Sequence, residues 1–164
     1  MIYRGVFVAY QFNAPKCIIR TIFHSVLKML KIHCDTPYCS HHKLLNDVIK
    51  PICESLSLTA LDIRDMEYSG SIYDEILKSI AECKFVIADL TFGNNGVYYE
   101  TGYARGIGKE VIYTCSQAWF NKKKVHFDVS GFNIVLYENF DDLKRKLKPR
   151  VDSMFNKLGL CNEP

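Results

Sequence analysis

The residues best placed for chemistry lie in one stretch, Lys84–Cys115 (KFVIADLTFGNNGVYYETGYARGIGKEVIYTC). An apolar, β-branched run, Phe85–Leu90, closes on a carboxylate, Asp89, followed by Thr91. A Gly/Asn loop, Gly93, Asn94, Asn95 and Gly96, leads into a helix carrying Glu100. Gly102 and Gly106 are spaced to let a neighbour pack closely, Gly108 ends the helix, and Val111–Cys115 is a second buried strand. In an open α/β sheet, groups at the carboxyl ends of strands are where ligands bind. Asp89, Asn94, Asn95 and Glu100 stand at or just past such an end. The chemistry this set offers is that of a carboxylate, Glu100, acting on a ligand in a pocket built by the rest of the chain.

The flanking elements must hold that stretch in place. Gly5–Phe12 (GVFVAYQF) is a nearly continuous β-branched and aromatic run, the pattern of a central strand. It ends on Tyr10, Gln11, Phe12 and Asn13, and Pro15 suits the first residue of a helix. Residues 16–33 carry an apolar stripe at helical spacing, broad enough to cover the sheet or a second subunit. Residues 34–42 are a polar turn; Cys34, Cys39, His41 and His42 match no closed zinc spacing, and no metal site is expected. Leu44–Leu56 is a second amphipathic helix, kinked or broken at Pro51, and Leu58–Ile63 is the next strand. Ser71 with Asp74 makes a capping-box pattern before a helix that buries Ile72, Ile76, Leu77 and Ile80. Residues 116–131 are a long loop with a basic run, Lys122–Lys124. Asn133–Tyr137 is the last strand, and Phe140–Leu158 a closing helix kinked at Pro149.

Five strands thus alternate with about five helices. The expected fold is a three-layer α/β/α domain on a parallel five-stranded sheet, in flavodoxin-like order 2-1-3-4-5. Its crevice lies between strands one and three, where Tyr10, Gln11, Asn13, Asp89 and Thr91 converge, with Asn94 and Asn95 from the adjoining loop. At 164 residues the chain is expected to form a single domain, 1–164. A net charge of +3 gives no argument for a nucleic acid polymer, and no apolar run reaches the ~18–20 residues of a membrane span. The N-terminal run reads as a strand rather than a signal peptide. Seven scattered cysteines, several in apolar patterns, suit reduced core thiols and a cytoplasmic location.

The motifs carry a family resemblance. The pattern I-x-D-E-I-x-x-x-I-x-x-x-x-F-V-I-A-D-L-T…N-x-x-V-Y-Y-E-x-G-Y-A-x-x-x-G-K-x-V-I resembles the nucleoside 2-deoxyribosyltransferase superfamily. It is most similar to the TIR-like nucleotide-binding branch, whose members often open with an F-V-A-M-P-F strand; here the strand reads FVAYQF, Phe7–Phe12. The match runs from Lys43 to the end, and the segment 14–42 stands as a helical insertion. Asn94 occupies a position that is acidic in many transferases, and Tyr10–Phe12 is bulkier than the small-residue loop they place beside the sugar.

The resemblance implies chemistry at the N-glycosidic bond of a nucleoside, nucleotide or NAD, with no cofactor. It makes Glu100 the nucleophile at the anomeric carbon, Asp74 the group handling protonation of the leaving base or the sugar hydroxyls, and Tyr10 the residue orienting the nucleophile. Gln11, Asn13, Asp89, Thr91, Asn94, Asn95 and Tyr103 would line the substrate. A carboxylate can stabilise or trap an oxocarbenium-like centre, and Gly/Asn loops let backbone N–H groups approach phosphate or ribose. A homodimer or higher homo-oligomer is also implied, because such enzymes commonly complete the pocket with a neighbour's C-terminal segment. The other function class left open is a non-catalytic module of the same fold that binds a nucleotide as a sensor. Ribose and 2-deoxyribose are not distinguished by these residues.

Overall fold

The computed structural model describes residues 43–61, 69–122 and 125–160, together with the backbone of 5–9. The residues expected to form the insertion, 14–42, with their Cys/His cluster and apolar stripe, lie outside the described residues. So do Tyr10, Gln11 and Asn13.

The described strands are β1 (Gly5–Ala9), β2 (Thr59–Leu61), β3 (Phe85–Asp89), β4 (Val111–Ser116) and β5 (Val135–Tyr137). They form one sheet in the order β2-β1-β3-β4-β5, every pairing parallel. β3 sits at its centre, and all of its residues are buried, as a strand covered on both faces requires. Its side chains alternate between two cores. Phe85 and Ile87 join Ile112, Val135 and the helices of one face; Val86 and Ala88 join Tyr113, Cys115 and those of the other.

The first face is covered by α1 (Leu44–Ile49), α2 (Lys50–Glu54) and α7 (Phe140–Lys157). In α7, Leu143, Leu147 and Val151 recur every fourth residue and are fully buried, each stabilising the fold by roughly 1.5–3 kcal/mol. The other face is covered by α3 (Ile72–Glu82) and α4 (Asn95–Gly106).

Several local expectations are corrected. The helix expected over Leu44–Leu56 is two elements, the first wound as a π-helix. Pro51 has no N–H for the i−4 ladder, and the turn before it widens so that Lys50 N–H reaches the Leu45 carbonyl. The long loop after β4 contains two short helices, α5 (Gln117–Asn121) and α6 (Phe127–Ser130). Each starts at a side-chain cap: the Ser116 hydroxyl accepts from Trp119 N–H, and His126 Nδ1 from Asp128 N–H. The Ser71 capping box is not made, because the Ser71 side chain forms no cap bond. Asn95 and Gly96 belong to α4 rather than to the loop, so Glu100 falls in the second turn. Gly102 and Gly106 are exposed, and a Cβ at either position would meet nothing within 4 Å, so neither serves close packing among the described residues.

Candidate active site

The order of the sheet puts β1 beside β3, and the chain leaves β1 toward β2 but leaves β3 toward β4, in opposite directions. Ligands of open α/β sheets bind beyond the strand ends at such a reversal. α4 begins just past this end. Asn94 caps it, its side-chain oxygen accepting the Gly96 N–H at 2.7 Å. A Schellman turn ends it, with Gly108 N–H on the Arg105 carbonyl and Lys109 N–H on that of Ala104. Gly108 has φ 80°, the left-handed conformation this turn needs.

Between those caps the helix has three sides. Val97, Thr101 and Ala104 are buried on the sheet. One flank faces the β4–β5 side: the Tyr98 hydroxyl accepts the His126 N–H at 3.1 Å, and the Arg105 guanidinium lies 4.3 Å over the Phe132 ring. Glu100 and Tyr103 project from the opposite flank by helical spacing, where α4 packs on α3 and β1. Glu100 is half-buried, and its Oε2 is buried with no hydrogen-bond partner among the described residues. Burial pushes its pKa from 4.5 to about 7. A carboxylate in this state is costly to ionise; such groups concentrate at functional sites.

Asp89 and Thr91, expected to line the substrate, instead form a buried brace. Thr91 Oγ1 donates to Asp89 Oδ1 at 2.9 Å and accepts the Ser116 N–H at 2.9 Å. Thr114 Oγ1 donates to the same Asp89 oxygen at 3.1 Å, and Tyr137 completes the set. Burial raises the Asp89 pKa from 3.8 to about 6, against the opposing pull of the hydrogen bonds from Thr91 and Thr114. Burial, followed by the Asp89 charge, pushes the Tyr137 phenol up as well. Thr114 and Tyr137 were not among the candidates. The signal for them was the rule that selected Asp89, a polar residue near the end of a strand, applied to β4 and β5.

Asp74 lies in the first turn of α3 but on its exposed side, and makes no hydrogen bond or ion pair among the described residues. Glu75 beside it is half-buried and within 3.5 Å of Lys78 Nζ. Asn95 is exposed at the start of α4, and Tyr103 is half-buried against the second core. Phe92 was also missed. It has φ 73°, in the left-handed region, and its ring meets Trp119 edge-on at 5.6 Å. Such a conformation is an outlier for a bulky residue.

No protein-family model matches the chain, and no curated protein matches it by sequence. Solved structures do. A CMP N-glycosidase of Clostridium botulinum, BcmB, superposes with a TM-score of 0.50 at 16% identity, over 91% of this chain and 98% of that one. The chain is similar in fold to a nucleotide N-glycosidase. The solution structure of BlsM matches with a TM-score of 0.51 at 12% identity, over 96% of this chain and 95% of that one. At these identities the likeness establishes a shared fold. No helix among the described residues is long and apolar enough to cross a membrane.

Proposed function

We propose that the protein cleaves or transfers at the N-glycosidic bond of a nucleotide or nucleoside, with Glu100 as the nucleophile. The observation that carries this reading is the buried Oε2 of Glu100, without a partner among the described residues, on the flank of α4 that faces β1 and α3. The shared fold with a CMP N-glycosidase supports it and favours a nucleotide over NAD. A Glu100 oxygen attacks the anomeric carbon, the C–N bond breaks, and its electron pair leaves on the base nitrogen, which takes up a proton. Water or an acceptor nucleophile then displaces the glycosyl group from Glu100 and restores the carboxylate.

Asp74 is the proposed proton donor and reaches the leaving base from the open rim of α3. Tyr10 is proposed to hold Glu100 in its attacking rotamer, and Gln11, Asn13, Asn94, Asn95 and Tyr103 to contact sugar and phosphate. The parallel sheet is proposed to be of the flavodoxin-like type, with the substrate above β1 and β3. The protein is proposed to work as a homo-oligomer in a reducing compartment such as the cytoplasm; Cys53 and Cys115 are buried free thiols, in keeping with that. Gel filtration with light scattering tests the assembly, and a monomer at every concentration rules it out.

The deciding experiment incubates the protein with CMP, dCMP, the other nucleoside monophosphates, free nucleosides and NAD, and measures released base by chromatography. The expected result is release from a nucleotide, lost in Glu100→Gln and reduced in Asp74→Asn. Binding of the same ligands by both wild type and Glu100→Gln, with no release from any, would replace this reading with that of a nucleotide-binding sensor.

A further inference from the structure

The strongest feature outside the candidate active site is at the opposite end of the sheet. β5 begins late: its first residue, Val135, pairs with Thr114, so among the described residues the Val111–Tyr113 segment of β4 has no strand alongside it on that edge. The gap is a notch of about 280 Å³, walled by α4 on one side and α7 on the other. This is just below the ~300–1,000 Å³ usual for small-molecule sites, room for a small ligand.

Its charge is one-sided. Arg105 enters from α4, and Arg150 and Lys157 from α7, against one carboxylate, Glu110, which is paired with Lys157 at 2.5 Å. Among the described residues neither Arg105 nor Arg150 has a carboxylate partner. Arg105 is also held in place. Its guanidinium lies over Phe132, which stacks on the buried Tyr113 at 5.3 Å and 17°. A guanidinium held over a ring by cation–π attraction can still donate from its N–H groups to an anion. Two guanidinium groups at the mouth of a small cavity match the several oxygens of a phosphate, which they can engage in paired hydrogen bonds. The ring face beneath Arg105 is covered, so the recognition is of charge rather than of a stacked base.

We propose that this notch is a second, non-catalytic site that binds a small phosphorylated ligand through Arg105 and Arg150. It is independent of the reading given to Glu100, which lies on the other flank of α4.

The probe is inorganic pyrophosphate, titrated calorimetrically into the full chain at low salt. The expected result is saturable binding that weakens as salt is raised, falls at least tenfold in Arg150→Gln, and is unchanged in Glu100→Gln. Arg150 is half-exposed on α7, so its substitution spares the core; Arg105→Gln is the second variant, with circular dichroism confirming its fold. Ribose 5-phosphate and cytidine 5′-monophosphate are then used to displace pyrophosphate. Equal displacement by both supports the site as one that reads the phosphate alone; displacement by the nucleotide only would show that a base is read and would overturn recognition by charge. No saturable binding, binding undiminished in Arg150→Gln, or displacement by neither phosphomonoester would overturn the proposal.

Discussion

The Tyr137 hydroxyl stands 3.4 Å from both carboxylate oxygens of Asp89, a residue 48 positions away and two strands across the sheet. The contact spans β4, whose Thr114 donates to the same carboxylate. The ends of β3, β4 and β5 are therefore tied at one buried acid, and Thr91 extends the tie to the Ser116 N–H at the end of β4. The loop that leads from β3 to the Asn94 cap starts from this brace.

Burial at this brace makes stability depend on pH. The Asp89 pKa is about 6 in the fold against the ordinary 3.8, so the folded state holds the proton more tightly than the unfolded one. Its contribution is fully present below about pH 4 and is lost as pH rises through about 6. That rise corresponds to about 3 kcal/mol. Asp89→Asn keeps an oxygen to accept from Thr91 and Thr114 and presents an amide to Tyr137. Urea unfolding from pH 4 to 7 should show wild-type stability declining more steeply than that of Asp89→Asn, with the variant more stable at pH 7 by roughly 2–3 kcal/mol. Parallel curves would mean that Asp89 is not the group responsible.

The same reasoning applied to Glu100 concerns rate. A nucleophile must be ionised, and burial holds this acid at about 7. The kcat/KM for base release should fall about tenfold per pH unit below that value. Glu100→Asp retains the charge but withdraws it by a methylene, and a loss of roughly a hundredfold or more is expected from the misplaced attack. An acid limb centred near the ordinary 4.5 instead of 7 would show that the group controlling the rate is exposed, and Glu100 would lose the role.

Much of this architecture was legible in the chain. Continuous apolar runs such as Phe85–Leu90 require burial on both faces, and their alternation with amphipathic helices pointed to a parallel α/β sheet. Gly108 was recognisable as a helix terminator, and the Schellman turn shows why. The misses at helix starts share one cause, side chains bonding to nearby backbone in ways that type and spacing do not reveal. Ser71 and Asp74 have the capping-box spacing without the bond, whereas Ser116 and His126 cap two short helices inside an expected loop. Asp89 was singled out for its position at a strand end. What decides its part is Thr114 and Tyr137, which only the assembled sheet brings to it.

Asn94 offers a test of the link between cap and site. Its side chain satisfies the Gly96 N–H, one of the first free donors of α4. Asn94→Ala should cost about 1 kcal/mol and lower kcat/KM, because fraying of this turn loosens the helix that carries Glu100. Asn94→Asp keeps the acceptor and adds a charge favoured at a helix N-terminus, so its stability should match or exceed wild type. Denaturation midpoints for the three proteins decide this; if Asp destabilises as much as Ala, the side-chain cap is not what holds the turn.

Phe92 tests whether strain is stored beside the site. At φ 73° its backbone is left-handed, followed by Gly93 at φ 63°. The left-handed region costs an L-residue with a side chain roughly 1–2 kcal/mol, and glycine almost nothing. Against that cost the ring has its edge contact with Trp119. Phe92→Ala loses the ring and keeps the strain; Phe92→Gly loses both. At an ordinary position glycine is the less stable of the two, because it loses more freedom on folding. Here the order should reverse, with Phe92→Gly the more stable variant by about 1 kcal/mol in urea unfolding. If alanine proves equal or better, the left-handed turn at Phe92 is not maintained in solution, and the aromatic contact with Trp119 is what shapes the segment between Asp89 and the Asn94 cap.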